Sequence, residues 1–237
     1  MDREYIIDKK NNVFIKKYPQ YDNINEKVAL EYKKGLILSK IINYPKPIKF
    51  CGSEIHYELL GIKQSLHEAK KNNELKYSDL FFIGEQLRKM HDKGIIHGDF
   101  TTLNVIFTHN NKIYFIDASF SFYNVDGNGD VVIYSKDIYK DLALFLMHLK
   151  IDNSLLQWWK FFQINKIKKM TDSFLSGYFN DVKKDFDYKR VLIYENKAIV
   201  SNIRFYRQSN ATLLYRCIII LLLNSLFLYN RFKIWQK

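Results

Sequence analysis

Glycine, proline and cysteine are scarce in this chain: nine, three and two among 237 residues. Cys51 and Cys217 lie far apart with no metal-ligand spacing around them, which excludes a disulfide framework and a thiolate metal site and fits reduced thiols in a cytosolic protein. No low-complexity linker and no internal repeat is visible. No glycine precedes Gly35, so the start of the chain holds no glycine-rich phosphate loop. Met1-Asp2-Arg3-Glu4 is charged and no apolar stretch follows it, so no signal peptide is expected. No apolar run reaches the roughly 18 residues that span a bilayer.

What the chain has is apolar mass: 47% hydrophobic and 16% aromatic residues, ample for a packed core in one or two domains. The net charge is +12, and most of that excess sits late. Trp158 to Lys237 carries 15 basic and 5 acidic residues.

One stretch organises the rest, Ile95 to Phe120. Asp99 lies in His97-Gly98-Asp99, Asn104 follows five residues later, and Asp117 ends the apolar run Ile113-Tyr114-Phe115-Ile116. Val105-Ile106-Phe107 and Ile113 to Ile116 are β-rich, and Thr108 to Lys112 between them is turn chemistry, so a hairpin is expected with the three polar residues at one end. Such a set suits phosphoryl transfer. One carboxylate orients an acceptor hydroxyl, while a second carboxylate and an amide oxygen hold Mg²⁺ against phosphates.

The intervals match the signature of protein kinases. The wording HGDxTTxN followed by IDxxxSF resembles the small atypical kinase of the KEOPS tRNA-modification complex, a neighbour of the RIO kinases. That resemblance implies an α+β, two-lobed protein-kinase-like fold, with a reduced β-rich N-lobe over residues 1–61 and a mainly helical C-lobe over 62–237. It implies ATP and Mg²⁺ as cofactors, with Asp99 catalytic and Asn104 and Asp117 holding metal.

Tyr5-Ile6-Ile7 and Val13 to Lys16 flank the turn Lys9-Lys10-Asn11-Asn12 and read as a hairpin. Val13 to Lys17 resembles the V-A-I-K strand whose Lys contacts the α- and β-phosphates. Period-2 alternation puts Phe14 and Lys16 on one face and Lys17 on the other. The resemblance selects Lys16, with Lys17 as the alternative. Asn25 to Ile42 reads as a helix anchored by Ala29, Leu30, Leu36, Ile37 and Ile41. The resemblance makes Glu31 in that helix the partner that holds the lysine ammonium. Ile55 to Gly61 resembles the interlobe hinge, where backbone groups from Glu58 to Leu60 meet the adenine.

Two features depart from the family. The glycine-rich loop is missing, and Asp117-Ala118-Ser119 replaces Asp-Phe-Gly. A trimmed nucleotide pocket and a degenerate, non-catalytic kinase are the two readings; the persistence of Lys16, Glu31, Asp99, Asn104 and Asp117 favours activity.

Later in the chain, Ser78 opens a helix through His91 with Leu80, Phe81, Ile83, Gly84, Leu87 and Met90 on its apolar face. Thr101 and Thr102 are either phosphate or acceptor contacts, or loop-stabilising hydroxyls. Asp126 to Asp130 is a turn cluster, and no A-P-E element follows, so a long peptide-docking segment is absent. Asp137 and Asp141 repeat the D-x-x-x-D-L opening of the resembled kinase's next helix, and Phe174 to Tyr178 resembles its late helix. Cys217 to Tyr229, with basic and aromatic flanks, is either a buried helix or a peripheral membrane contact through 209–237.

The expected acceptor is a hydroxyl on a cell-envelope sugar or glycolipid, as in lipopolysaccharide-core kinases of the same fold, or on a protein. A KEOPS-type kinase or ATPase working with tRNA-modification subunits is the alternative. The expected location is the cytoplasm, with peripheral membrane contact open.

Overall fold

A short polar turn starts the structure. In the computed structural model, which describes residues 4–20, 22–118, 123–125, 131–133, 138–150, 164–179, 188–208, 217, 220–221 and 224–231, β1 (Glu4–Asp8) and β2 (Val13–Lys17) form an antiparallel hairpin. The Asp8 carboxylate accepts the Asn11 backbone N–H at 3.1 Å and its side-chain amide at 2.7 Å. Asn12 takes the left-handed conformation, φ 56°, which Asn adopts more readily than most residues. A side-chain-closed turn thus stands where a glycine loop would be, and both strands fit.

The chain forms two compact units. The first comprises Met1–Ala69, Gln86–Asp99 and Leu103–Lys136. In it, β3 (Pro47–Cys51) and β4 (Glu54–Glu58) extend the hairpin into a four-stranded antiparallel sheet ordered β1-β2-β4-β3. The register sets Lys16 opposite Tyr5 and Ile55. Helix α1 (Ile24–Ile41) packs on β3 and β4. A three-stranded sheet joins β5 (Ile62–Ser65), β6 (Val105–Thr108) and β7 (Ile113–Phe115). The expected hairpin is therefore present, and β5 is an unforeseen third strand. A further hairpin pairs β8 (Tyr123–Val125) with β9 (Val131–Ile133), two strands that the sequence reading did not mark.

The buried face of α1 corrects the sequence reading. Its buried positions are Ile24, Val28, Glu31, Lys34, Gly35 and Leu38, while Ala29, Leu30, Leu36, Ile37 and Ile41 are only half-buried. Two of the six buried positions are charged, so apolar spacing alone pointed to the wrong stripe.

The second unit comprises Lys70–Glu85, Phe100–Thr102 and Asp137–Lys237. Helix α2 (Leu66–Lys71) precedes α3 (Tyr77–Asp92), whose first half belongs here and whose remainder belongs to the first unit. Helices α4 (Ile138–Lys150), α5 (Ile164–Phe179) and α6 (Tyr188–Gln208) supply most of the second unit's described core. Phe145 stacks on Phe100 at 4.9 Å between ring centroids and meets Phe174 in a tilted contact at 4.5 Å. A buried ion pair, Lys150 to Glu195 at 2.8 Å, joins α4 to α6. Phe81 does not share the buried face expected of it and is 37% exposed.

Residues 224–231 are helical, with Leu226 buried against Met147 and Ile199. Leu221, Leu228 and Tyr229 are exposed. Among the described residues no helix is long and apolar enough to cross a membrane. Ser119, the Asp126 to Asp130 turn, Asp137 and most of 209–223 lie outside the described residues.

Candidate active site

Strand β2 aims Lys16 inward because its neighbours alternate: Lys16 is buried, while Lys17 reaches Glu54 at 3.3 Å with its side chain 44% exposed. The Lys16 Nζ donates to Glu31 Oε1 at 2.8 Å and to Asp117 Oδ1. It also lies 5.2 Å from the centroid of the Tyr18 ring. Burial pulls the Lys16 pKa down, but the nearby Glu31 and Asp117 carboxylates outweigh it, and the net shift is upward. The ammonium is therefore held charged inside the protein.

Glu31 is held in turn by tyrosines. Its Oε2 accepts the Tyr18 hydroxyl, and its Oε1 accepts that of Tyr57 at 3.1 Å. Tyr44 Oη accepts the Ala118 backbone N–H at 3.4 Å. Burial pushes the Tyr44 and Tyr57 phenols well above their ordinary pKa, so both stay neutral. Sequence reading found none of these three. In a chain with 17 tyrosines, the signals were Tyr18 before Pro19, just after the lysine strand, and Tyr57 immediately before Glu58.

Asp117 follows β7 in the left-handed conformation, φ 60°. The positive φ falls on the aspartate itself, one of the few residue types that tolerate it, and not on a following glycine. Asn43 fixes this strand end: its backbone carbonyl accepts the Phe115 N–H at 2.9 Å, and its side chain donates to the Ile113 carbonyl at 3.0 Å.

Asn104, immediately before β6, donates its side-chain amide to the Asp99 carbonyl at 2.8 Å and to the Asp99 carboxylate at 3.0 Å. Its own carbonyl accepts the Ile116 N–H at 3.0 Å, which sets Asn104 beside the residue preceding Asp117. Asp99 is exposed. His97 is fully buried, as are Thr102 and, nearly so, Thr101.

A cavity of about 530 Å³ adjoins the Lys16 cluster, within the usual range for small-molecule sites. Strands β1 and β2 give it Tyr5, Ile7 and Phe14; Glu58, Leu59 and Leu60 line another part; Ile106 and Ile116 add to the apolar surface. Lys16, Glu31 and Asp117 line it as well. The structure thus brings together Lys16, Glu31, Asp117, Glu58 and Leu60 around one cavity. Asp99 and Asn104 form a second pair that does not line it. The Glu58 N–H donates to the Lys46 carbonyl at 3.0 Å and the Leu59 N–H to the Asn12 carbonyl at 3.1 Å. Those two amides are therefore engaged within the protein.

This is the arrangement of a protein-kinase-like α+β fold, and comparison with known proteins agrees. A choline/ethanolamine kinase family protein from Mesorhizobium loti superposes with a TM-score of 0.59 at 12% identity, over 92% of this chain and 85% of that one. An aminoglycoside-3'-phosphotransferase of type VIII superposes with a TM-score of 0.52 at 13% identity, over 77% and 83%. The EKC/KEOPS complex subunit BUD32 of Enterocytozoon bieneusi (strain H348) is 33% identical over 136 residues, 56% of this chain and 58% of that protein. The chain thus spans little more than half the length of the curated relative it matches. The RIO-domain family matches residues 3–147, which include every candidate site residue. The chain belongs to the RIO-domain family.

Proposed function

We propose that this chain is an ATP- and Mg²⁺-dependent phosphotransferase that moves the γ-phosphoryl group to a hydroxyl. The observation that carries the reading is the buried contact of Lys16 with both Glu31 and Asp117 at the edge of the cavity. A charged lysine held there grips nucleotide phosphates, and Glu31 keeps it aimed. Glu58, Leu59 and Leu60 line the cavity, and the adenine is expected against that wall, through groups other than the engaged Glu58 and Leu59 amides.

Magnesium sites of this class use one or two carboxylates plus substrate phosphates, not a protein cage. The donors suit that rule: the Asp117 carboxylate, and the amide oxygen of Asn104, whose NH₂ end is turned to Asp99. When bound, the cation neutralises charge on the phosphate oxygens. Asp99 orients the acceptor hydroxyl and takes its proton, and its exposure gives an acceptor access. The completeness of this residue set favours turnover over a degenerate binding module.

For the acceptor, we favour a protein hydroxyl within a KEOPS-type tRNA-modification assembly. The motif wording, the family and the BUD32 relative support it. The sugar or glycolipid acceptor expected from the sequence has only fold-level likeness behind it, and one scaffold hosts many acceptors.

The test is ATP turnover by the purified chain with Mg²⁺. Asp99→Asn should retain nucleotide binding and lose transfer by a factor of ~10² to 10⁴. Asp117→Asn should lose Mg²⁺-dependent nucleotide binding. Wild-type turnover in Asp99→Asn would overturn the assignment. Salt-sensitive binding of tRNA or partner subunits supports the assembly reading; association with envelope membranes in its place would return the sugar acceptor.

A further inference from the structure

Helix α1 carries a second buried charge that the proposed chemistry does not use. Lys34, three residues after Glu31, is only 1% exposed. Its Nζ donates to the Ile96 carbonyl at 2.9 Å and lies 3.4 Å from the His97 carbonyl. Burying an ammonium is costly before its partners are counted. The position lies on the core stripe formed by Val28, Glu31, Gly35 and Leu38, where an apolar side chain would satisfy packing alone. What an apolar side chain could not do is bind those two carbonyls.

The carbonyls belong to a segment without helix or strand, just before Gly98, at φ 84°, and Asp99. Backbone acceptors in such a buried turn need fixed donors. Farther along, Asn104 holds Asp99 through its backbone and its carboxylate. The turn is thus gripped before Asp99 by Lys34 and at Asp99 by Asn104.

We propose that Lys34 is a positioning residue: its ammonium ties α1 to the Ile96–His97 backbone, so that one rigid helix sets both Lys16, through Glu31, and the Gly98-Asp99 turn. Three residues of helix separate the two grips by ~4.5 Å along the axis. The inference rests on Asp99 as the base of the proposed phosphoryl transfer.

The test compares the full-length wild type with Lys34→Met, Lys34→Arg and, as an exposed control on the same helix, Lys40→Met. Amide hydrogen exchange at 98–104 is read alongside ATP kinetics. Loss of charge-assisted hydrogen bonds should speed exchange in 98–104 by ~10-fold or more and lower kcat by a similar factor. The KM for ATP should stay within about two-fold, because the Lys16–Glu31 contact is untouched. Lys34→Arg should recover part of both losses, and Lys40→Met should match wild type. Exchange and kcat both at wild-type values in Lys34→Met would overturn the proposal. So would faster exchange throughout the chain with KM and kcat changing together, which is the mark of general loosening. Should Lys34→Met fail to fold, Lys34→Gln decides by the same two readouts. A wild type that turns over no ATP would sink the proposed function, while exchange at 98–104 would still decide the hold of Lys34 on the turn.

Discussion

Lys16 and Glu31, fifteen positions apart in the chain, meet at 2.8 Å with side chains only 4% and 2% exposed. So buried a pair is a weak stabiliser as a pair, because desolvation offsets its attraction, but breaking it by removing one partner is costly. Its value lies in geometry: it leaves the ammonium fixed beside Asp117 at the cavity.

Lys16→Met should therefore raise the KM for ATP or cut kcat by ~10-fold or more, and should also destabilise the fold by roughly 3–5 kcal/mol. The Tyr18 and Tyr57 hydroxyls still serve Glu31, which points to the lower end. Lys17→Met removes only a partly exposed contact with Glu54, worth about 0–1 kcal/mol, and should leave ATP kinetics unchanged. Steady-state kinetics and chemical denaturation check both; the reverse result would move the functional register of β2 by one residue.

Stability should fall in strong base. Lys16, Tyr44 and Tyr57 all have pKa values raised above the ordinary 10.5, 10.0 and 10.0. A group whose folded pKa is raised holds its proton more tightly when folded, so its contribution is complete below the unfolded value and lost as pH climbs toward the folded one. Denaturation midpoints should hold steady up to about pH 10 and decline above it. Tyr57→Phe should flatten the decline. Phenolate absorbance that rises fully without loss of structure would contradict the buried, neutral tyrosines.

Within the second unit, α3 and α5 touch backbone to backbone. A Cβ at Gly84 would lie 2.2 Å from the Phe174 carbonyl oxygen, and one at Gly177 would lie 1.9 Å from that of Phe81. Neither neighbour is a flexible side-chain end, so the helices must move apart. Gly84→Ala and Gly177→Ala should each cost at least ~1–3 kcal/mol, despite alanine's better helix propensity. Thermal melts that show either variant as stable as wild type would rule out this close approach.

The C-terminal segment separates two roles by face. Leu226 packs against Met147 and Ile199, so Leu226→Ala should cost ~2–5 kcal/mol, and deletion of 209–237 should lower the melting temperature or yield insoluble protein. Leu221 and Leu228 are each 66% exposed. Replacing both with serine should leave the fold intact and, where 209–237 contacts membrane, abolish co-pelleting with anionic vesicles. No co-pelleting by the wild type would remove the membrane contact, and unchanged co-pelleting by the variant would move it away from Leu221 and Leu228.

The sequence by itself determined the hairpin that carries Asn104 and Asp117, the β1–β2 hairpin, and the placing of Lys16 and Lys17 on opposite faces of β2, between which only the resemblance chose. Each follows from local rules: turn residues between β-rich runs, and a side-chain period of two. The family was also legible, because His97-Gly98-Asp99, Asn104 and Asp117 keep their intervals in the linear chain.

Only the tertiary structure decided which face of α1 turns inward. Apolar spacing marked Leu30, Leu36 and Ile37, whereas the buried stripe runs through Glu31 and Lys34. Charged side chains enter a core when partners brought from elsewhere satisfy them: Lys16 with Tyr18 and Tyr57 for Glu31, and the Ile96 and His97 backbone for Lys34. Those partners lie 13 to 63 positions away in the chain. No local pattern records such pairings, because the free energy that makes the burial tolerable exists only once the distant groups have met.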